Sequence, residues 1–506
     1  MVNIGKNPLT IIDIVSVARK WEKVTLSNEA IDLINCSHSR LTELLKAETP
    51  VYGINTGFGI FSDKKIKIDE SNLLSRNLIL SHAVGTGPVL PVEITRAAML
   101  VRANTLAKGF SGIRLEVIET LIEMLNKGVT PVVPSQGSLG SSGDLCPLSH
   151  MALVLTTDEK DLESESGFAE FEGKVYTGKE AMEKAGIKRI VLGPKEGLAI
   201  NNGATFSAAI GAISVFDSNY LVELADRSIA MTLEVLLGCS GAFDERIHMA
   251  RGQVGQIKSA KKIRESFSGS SLIDSTDSIQ DAYSLRCAPQ IHGSVRDTVE
   301  YVEKIIEREI NAATDNPLIF EPGIAISGGN FHGEPVGLAM DFLSIALCEL
   351  GAISERRIFR MTDGKLNSGL PPMLVDSVDE AGLNSGMMML QYTAASLVLE
   401  NQTLATPDSV HSLPTSAEQE DHNANAMTAA RHTDMIIDNL QQIIGIEIYM
   451  AARGLDLRKR IQPGKTGLST QKLYETIRSK VPYTAGDTYW GPEIELTKEM
   501  IKNQEL

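Results

Sequence analysis

The sequence predicts a mainly α protein, a long-helix bundle over residues 201–506 joined to a smaller, α-rich N-terminal domain over residues 1–200. Three observations carry that expectation. Five helical runs of roughly 16 to 31 residues crowd the second part of the chain, against a mean helix of about 11 to 12. The first part has shorter apolar runs broken by Gly and Pro. With 506 residues the chain is also long enough to bury a large core or to divide into subdomains.

The elements follow in order. Short broken runs such as Tyr52-Gly-Ile-Asn-Thr-Gly-Phe-Gly59 are expected to be turns between small elements. Thr156 to Ser166 is polar and is expected to be a surface loop. Phe168 to Tyr176 reads as a hairpin turning at Glu172-Gly173. Ser207 to Leu237 is a helical run with no Pro and one interior Gly. From Asp297 to Ala312, the positions Val299, Val302, Ile305, Ile306 and Ile310 keep helical spacing. Pro335 to Met361 opens on Pro, a favoured first-turn residue. Leu383 to Leu404 and Met427 to Arg453 complete the set, the last with Ile437, Leu440, Ile444 and Ile448 on one face. Heptads are not sustained, which argues against a coiled coil.

Composition excludes several partners. A net charge of -16 provides no basic stripe to neutralise phosphates, so neither nucleic acid nor an anionic membrane is an expected partner. The N-terminus lacks the apolar core of a signal peptide, and no window of 18 apolar residues is found, so no membrane span is expected. Five scattered cysteines, with no Cys-x-x-Cys pair, fit a reducing cytoplasm and neither a disulfide framework nor a zinc site.

The stretch Gly137-Ser-Leu-Gly-Ser-Ser-Gly-Asp-Leu-Cys-Pro-Leu-Ser-His150 is the richest in chemical meaning. At its centre, Ser141-Ser142-Gly143 can cyclise. The Gly143 amide attacks the Ser141 carbonyl, and loss of two waters leaves an exocyclic alkene at Ser142. The product is an electrophile that no natural side chain supplies. The alternatives are a flexible linker or a phosphate-cradling loop, because Gly-rich runs alone are weak evidence.

Further polar clusters sit at loops or at the mouths of long helices. They are Tyr52 among three glycines, Asn201-Asn202-Gly203, Gln280 and Asp281 ahead of Tyr283-Ser-Leu-Arg286, Ser327-Gly-Gly-Asn-Phe-His-Gly-Glu334, and Gln419-Glu-Asp-His422. Read singly, each is a turn or a cap: Arg286 pairs with Asp281, His82 is a buried core histidine, Glu420 caps the following helix. Read together, they place functional residues on loops held by a rigid scaffold.

The motifs Tyr52-Gly-Ile-Asn-Thr-Gly-Phe-Gly59, Gly140-Ser-Ser-Gly-Asp-Leu145, Asn202-Gly203, Tyr283-Ser-Leu-Arg286, Asp315-Asn-Pro317 and Gly328-Gly-Asn-Phe331 resemble those of the aromatic amino acid ammonia-lyases. That family carries the self-made methylidene-imidazolone (MIO) group. The likeness runs in family order from about Tyr52 to about His422. Ser81-His82, Gly382-Leu-Asn-Ser-Gly386 and Pro414-Thr-Ser-Ala-Glu-Gln-Glu-Asp-His422 resemble its histidine-type branch.

The resemblance implies a fumarase/aspartase-like bundle and elimination of ammonia from L-histidine to give trans-urocanate. Ser141, Ser142 and Gly143 would form the MIO group, with no metal or organic cofactor expected. Asp144 would assist closure. Tyr52 is implied as the base at the β-carbon, which needs a lowered phenol pKa. Arg286 would grip the substrate carboxylate. Asn202, Tyr283 and Gln280 would help to hold the substrate, His82 and Glu420 would meet the imidazole, and Phe331 would form a wall. The family also implies a homotetramer whose sites are shared between subunits. A tyrosine or phenylalanine lyase, an aminomutase, or an inactive helical scaffold are the other readings. Several positions depart from the family pattern. Ser141 stands where Ala is usual, Asn201 and Ala204 flank Asn202-Gly203, and Glu418 stands where histidine-type members often have Asn.

Overall fold

The computed structural model describes residues 1–46 and 51–506, and it is mostly helical. All five long runs are helices, with bounds Thr205–Val235, Ala288–Glu309, Glu334–Thr362, Met388–Leu404 and Ala426–Ile461. Two of the bounds differ from expectation for identifiable reasons. The helix expected from Asp297 begins at Ala288, because its first turns are polar yet partly buried: His292 is fully buried and bonds Asp226 Oδ1 at 2.7 Å. The helix expected from Leu383 begins at Met388, because Gly386 takes a left-handed φ of +59° just before it.

The hairpin forms as Phe168–Phe171 and Lys174–Thr177, antiparallel, with Glu172 and Gly173 both at positive φ, the geometry that matches strand twist. Thr156 to Ser166 is less of a surface loop than its polarity predicts. Thr156 and Ser166 are fully buried, and Asp161 bonds Arg189 at 2.6 Å. The helix Glu334–Thr362 is long and apolar enough by composition to cross a membrane, with Asp341 and Glu349 interrupting its apolar residues. It reads as a core helix, since 72% of its apolar window is buried within the protein.

The chain divides into two compact units. The first comprises Met1–Phe216, Val302–Asp341 and Pro407–Arg431. In it, Thr10 and Asp13 form a capping box on the helix Ile11–Arg19, which packs on Val92–Leu106. The helix Val92–Leu106 is buried on all sides and even encloses Arg96 and Arg102. Arg96 is held by the carbonyls of Val17 and Leu125 and lies over the Trp21 ring at 3.8 Å. Burial lowers both guanidinium groups to about 10. Helices Ser71–His82, Leu145–Leu155 and Glu196–Asn201 pack against one another, and Ile79, Met151 and Ile200 on them are buried. Their ends bring His82, the Ser142 loop and Asn202 to one place.

The second unit comprises Asp217–Tyr301, Phe342–Thr406 and His432–Leu506. Its core is crossed by a fully buried pair, Arg357 with Glu447 at 2.6 Å, whose carboxylate also accepts from Thr232 and Ser354. Here the helix Met388–Leu404 buries only a narrow stripe, Leu390, Ala394, Val398 and Asn401, and leaves Met389, Tyr392 and Leu399 exposed.

Candidate active site

The Ser141-Ser142-Gly143 loop is clamped from several sides. Gly140 and Gly143 both take positive φ, +72° and +75°, which reverses the chain immediately before the helix Leu145–Leu155. Asn202 Nδ2 donates to the Ser142 carbonyl at 2.8 Å, and the Asp144 amide donates to the Gly203 carbonyl at 2.9 Å. The Gly333 amide reaches the Gly140 carbonyl at 2.9 Å, and the Asn425 amide reaches the Leu139 carbonyl at 2.8 Å. Gly143 and Gly203 lie backbone to backbone, so a Cβ on Gly143 would overlap the Gly203 main chain. This close approach requires glycine at 143, while Gly203 is held at φ +132° with its Cβ position facing Thr314 and Arg102.

Asp144 does not cap the helix that follows it. Its carboxylate is fully buried and accepts from the Ser138 hydroxyl at 2.9 Å and from the Ser207 amide and hydroxyl at 2.9 and 3.0 Å. Desolvation pushes its pKa up, against the pull of those donors.

Beside the loop lies a cavity of about 670 Å³, lined by Tyr52, His82, Ser142, Asn202, Phe331 and Glu420 among others. Six residues singled out in the sequence therefore meet at one concavity, although they span some 370 positions of chain (52 to 420). Asn202 is 3% exposed, and its Oδ1 has no hydrogen-bond partner among the described residues. The Tyr52 hydroxyl accepts from the Gly59 amide at 3.4 Å, and Phe58 meets its ring edge-on at 6.5 Å. The phenol pKa is raised, not lowered as a base would need: burial dominates, the Gly59 amide opposes it, and the Glu420 charge adds to it. His82 ends its helix with Nδ1 3.0 Å from Ser81 Oγ, and burial lowers its pKa.

Glu420 is carried by a tight turn. Its amide and carbonyl both bond Thr415, and Ser416, Ala417 and Glu418 take φ of +50°, +51° and +68° in succession. Its Oε2 accepts from Ser141 Oγ at 3.2 Å. Sequence reasoning missed Asn77, Leu78 and Leu198 in the lining. Nothing local marks them, since they face the cavity only through helix packing. Asn316 and Phe58, also in the lining, sat inside motifs already singled out.

Gln280, Tyr283 and Arg286 are not among the residues lining this cavity. All three belong to the second unit. Gln280 and Tyr283 are exposed, Tyr283 by 71%. The Arg286 guanidinium stacks on the Tyr283 ring at 4.7 Å, and its buried Nε has no partner among the described residues. Asp281 bonds the Cys239 amide at 2.7 Å, and no Arg286–Asp281 ion pair is formed among the described residues.

A family model described as aromatic amino acid lyase matches residues 9–479. A histidine ammonia-lyase of Caldanaerobacter subterraneus subsp. tengcongensis is 50% identical over 484 residues, which are 95% of this chain and 92% of that protein. One from Alkaliphilus oremlandii is 46% identical over 100% of this chain and 97% of its own length. Among solved structures, histidine ammonia-lyase from Trypanosoma cruzi superposes with a TM-score of 0.90 at 35% identity, covering 100% of this chain and 94% of that one. Tyrosine aminomutase from Streptomyces globisporus superposes with a TM-score of 0.93 at 32% identity, covering 100% and 97%.

Proposed function

The chain belongs to the aromatic amino acid lyase family, and we propose that it is an ammonia-lyase that converts L-histidine to trans-urocanate and ammonia. The observation that carries the reading is the convergence of Tyr52, His82, Ser142, Asn202 and Glu420 on one cavity.

That family is MIO-dependent, and the loop fits the group. Gly143 is pressed against Gly203 where no side chain has room, and Asn202 Nδ2 already holds the Ser142 carbonyl. Ser141, Ser142 and Gly143 would form the group by autocatalytic cyclisation, with no metal or organic cofactor. When formed, it supplies an electrophile toward the substrate amine.

The chain's own residues do the rest. Tyr52 accepts the β-proton at its phenol oxygen, in an ionised form that burial and the Glu420 charge disfavour and that a cation brought near it by a neighbouring copy would restore. Neutral His82 and the Glu420 carboxylate offer one hydrogen-bonding group each to the two imidazole nitrogens. Asn202 contributes Oδ1, a buried acceptor without a partner among the described residues. Phe331 closes a wall and excludes water. Arg286 receives the substrate carboxylate on its fork, with Tyr283 and Gln280 beside it.

These last three come from neighbouring copies in a homotetramer. Two features support this: the unpartnered Arg286 Nε and the exposed Met389, Tyr392 and Leu399 on a helix with only a narrow buried stripe. Exposed apolar faces of that kind are commonly covered by association. Five free cysteines, two of them buried, accord with a cytoplasmic location.

The test is kcat/KM for L-histidine, L-tyrosine and L-phenylalanine, followed by the ultraviolet absorbance of the conjugated acids. The intact mass is measured in parallel and is expected to fall short of the sequence mass by about two waters. A preference for tyrosine or phenylalanine overturns the substrate, and an unmodified mass in active enzyme overturns the chemistry. The likeness to tyrosine aminomutase at a TM-score of 0.93 favours one second reading, return of the amine to the β-carbon. A β-amino acid among the products would establish it.

A further inference from the structure

We propose that the Ser141 side chain is a positioning residue for Glu420, its hydroxyl holding and orienting the carboxylate that meets the substrate ring. The inference rests on the reading of the cavity given above. Ring closure uses the Ser141 carbonyl and the Gly143 amide, so the hydroxyl is left out of the cyclisation. The family usually has Ala at this place and closes its ring without a hydroxyl.

In this chain the hydroxyl donates to Glu420 Oε2 at 3.2 Å, across 279 residues of sequence. Ser141 is 7% exposed, so little water competes for the contact. Thr415 fixes the Glu420 main chain. Among the described residues the carboxylate has no other hydrogen bond or ion pair, which leaves Oε1 open. One contact therefore decides how the carboxylate is turned.

The charge so placed is felt across the cavity. Tyr52 and His82 are both electrostatically coupled to Glu420, and Lys64 is the other charged group in the lining. A hydroxyl that donates to one carboxylate oxygen fixes which oxygen stays free for a further donor. Losing the hydroxyl therefore leaves Glu420 freer to rotate, and the ring of the substrate loses a fixed acceptor.

The experiment compares full-length Ser141→Ala, Ser141→Thr, Glu420→Gln and the Ser141→Ala/Glu420→Gln double variant with the wild type. Each is checked by intact mass, and kcat and KM for L-histidine are measured separately. Every variant is expected to show the loss of about two waters, because the cyclising atoms are untouched. Ser141→Ala is expected to lower kcat/KM for L-histidine by about tenfold, chiefly through KM, and Ser141→Thr to restore it. In the Glu420→Gln background, removing the hydroxyl is expected to change kcat/KM by less than about twofold.

Unchanged kcat and KM in fully cyclised Ser141→Ala overturn the proposal. So does an equal loss in both backgrounds, and so does Ser141→Ala that fails to shed water, which would place the hydroxyl in ring formation. If Ser141→Ala is not recovered folded, Ser141→Cys, a weaker donor of similar size, takes its place with the same expected direction. If the wild type turns over tyrosine or phenylalanine and not histidine, the substrate reading falls. The Ser141 comparison is then made on that amino acid and decided by the same criteria.

Discussion

Gly203→Ala tests whether the loop owes its shape to a close approach from the neighbouring segment. Gly203 has φ +132°, outside the small left-handed region open to L residues. Holding Ala there costs about 1 to 3 kcal/mol. The added Cβ would also strike the Thr314 side chain and the Arg102 guanidinium. Neither neighbour can swing away into solvent. Thr314 is 3% exposed, and Arg102 is fully buried and tied to the Ala199 carbonyl and the Thr205 hydroxyl. Overpacking of this kind costs about 1 to 3 kcal/mol more. The sum, about 2 to 6 kcal/mol, is a large part of the roughly 5 to 15 kcal/mol that stabilises a typical fold.

Gly173→Ala serves as the control. Its φ is +74°, but beyond its own chain neighbours no atom of the described residues lies within 4 Å of the new Cβ, so it incurs only the backbone cost of about 1 to 2 kcal/mol. The assay is denaturant unfolding of both variants, with intact mass read on the same samples. Gly203→Ala is expected to unfold at clearly lower denaturant than Gly173→Ala and to retain uncyclised chain. Equal midpoints together with complete loss of about two waters in Gly203→Ala would refute the reasoning.

Other consequences can be checked directly. Arg286→Lys keeps the charge and loses the fork, so kcat/KM on L-histidine is expected to fall by the equivalent of about 2 to 5 kcal/mol; near-normal kinetics would confine Arg286 to its stack on Tyr283. His82→Leu is expected to depress kcat/KM for L-histidine far more than for L-phenylalanine, by a ratio of up to about 10⁴, and equal losses would remove His82 from substrate selection. Glu309 is pushed up to about 7 by burial and the nearby Asp144 charge, against the pull of Arg102. Because its folded pKa is raised, the stability it contributes is full below its unfolded value near 4.5 and is lost as pH rises through about 7. Glu309→Gln is therefore expected to flatten the fall in unfolding midpoint over that window, and parallel curves for the two proteins would count against the assignment.

What the sequence made legible follows from the physics of each element. Long helices with one apolar face announce themselves by period, and all five were readable, with errors at their ends. Val92–Leu106 was not readable as amphipathic because it is enclosed on every side, two arginines included. The loop at Ser141 to Gly143 was legible because its chemistry depends on local residue order. The residues that hold it, Asn202, Ser207, Gly333 and Asn425, are remote in sequence, and of these only Asn202 was marked by a motif as a site residue. Glu420 was found as a residue, but its contact with Ser141 was not, since no pattern along a chain reports a pair 279 positions apart. Tyr52 was found too, while the direction of its phenol shift depends on burial that only the fold supplies.

The left-handed run Ser416-Ala417-Glu418 inverts the usual ranking of residues in a mutational scan. At nearly every other position of a folded chain, glycine is among the more damaging substitutions, because it leaves the unfolded chain more freedom to lose. Here each L residue is held where its Cβ crowds the backbone, at roughly 1 to 2 kcal/mol apiece. Glycine relieves that crowding, and after its own entropic cost of about 0.4 to 1 kcal/mol it remains neutral or favourable. Asparagine tolerates the same φ better than glutamate does. A selection for folded protein would therefore enrich Gly at Ala417 and Asn or Gly at Glu418, and would deplete Val and Ile at both. That signature lets the backbone of the segment carrying Glu420 be read from variant frequencies alone.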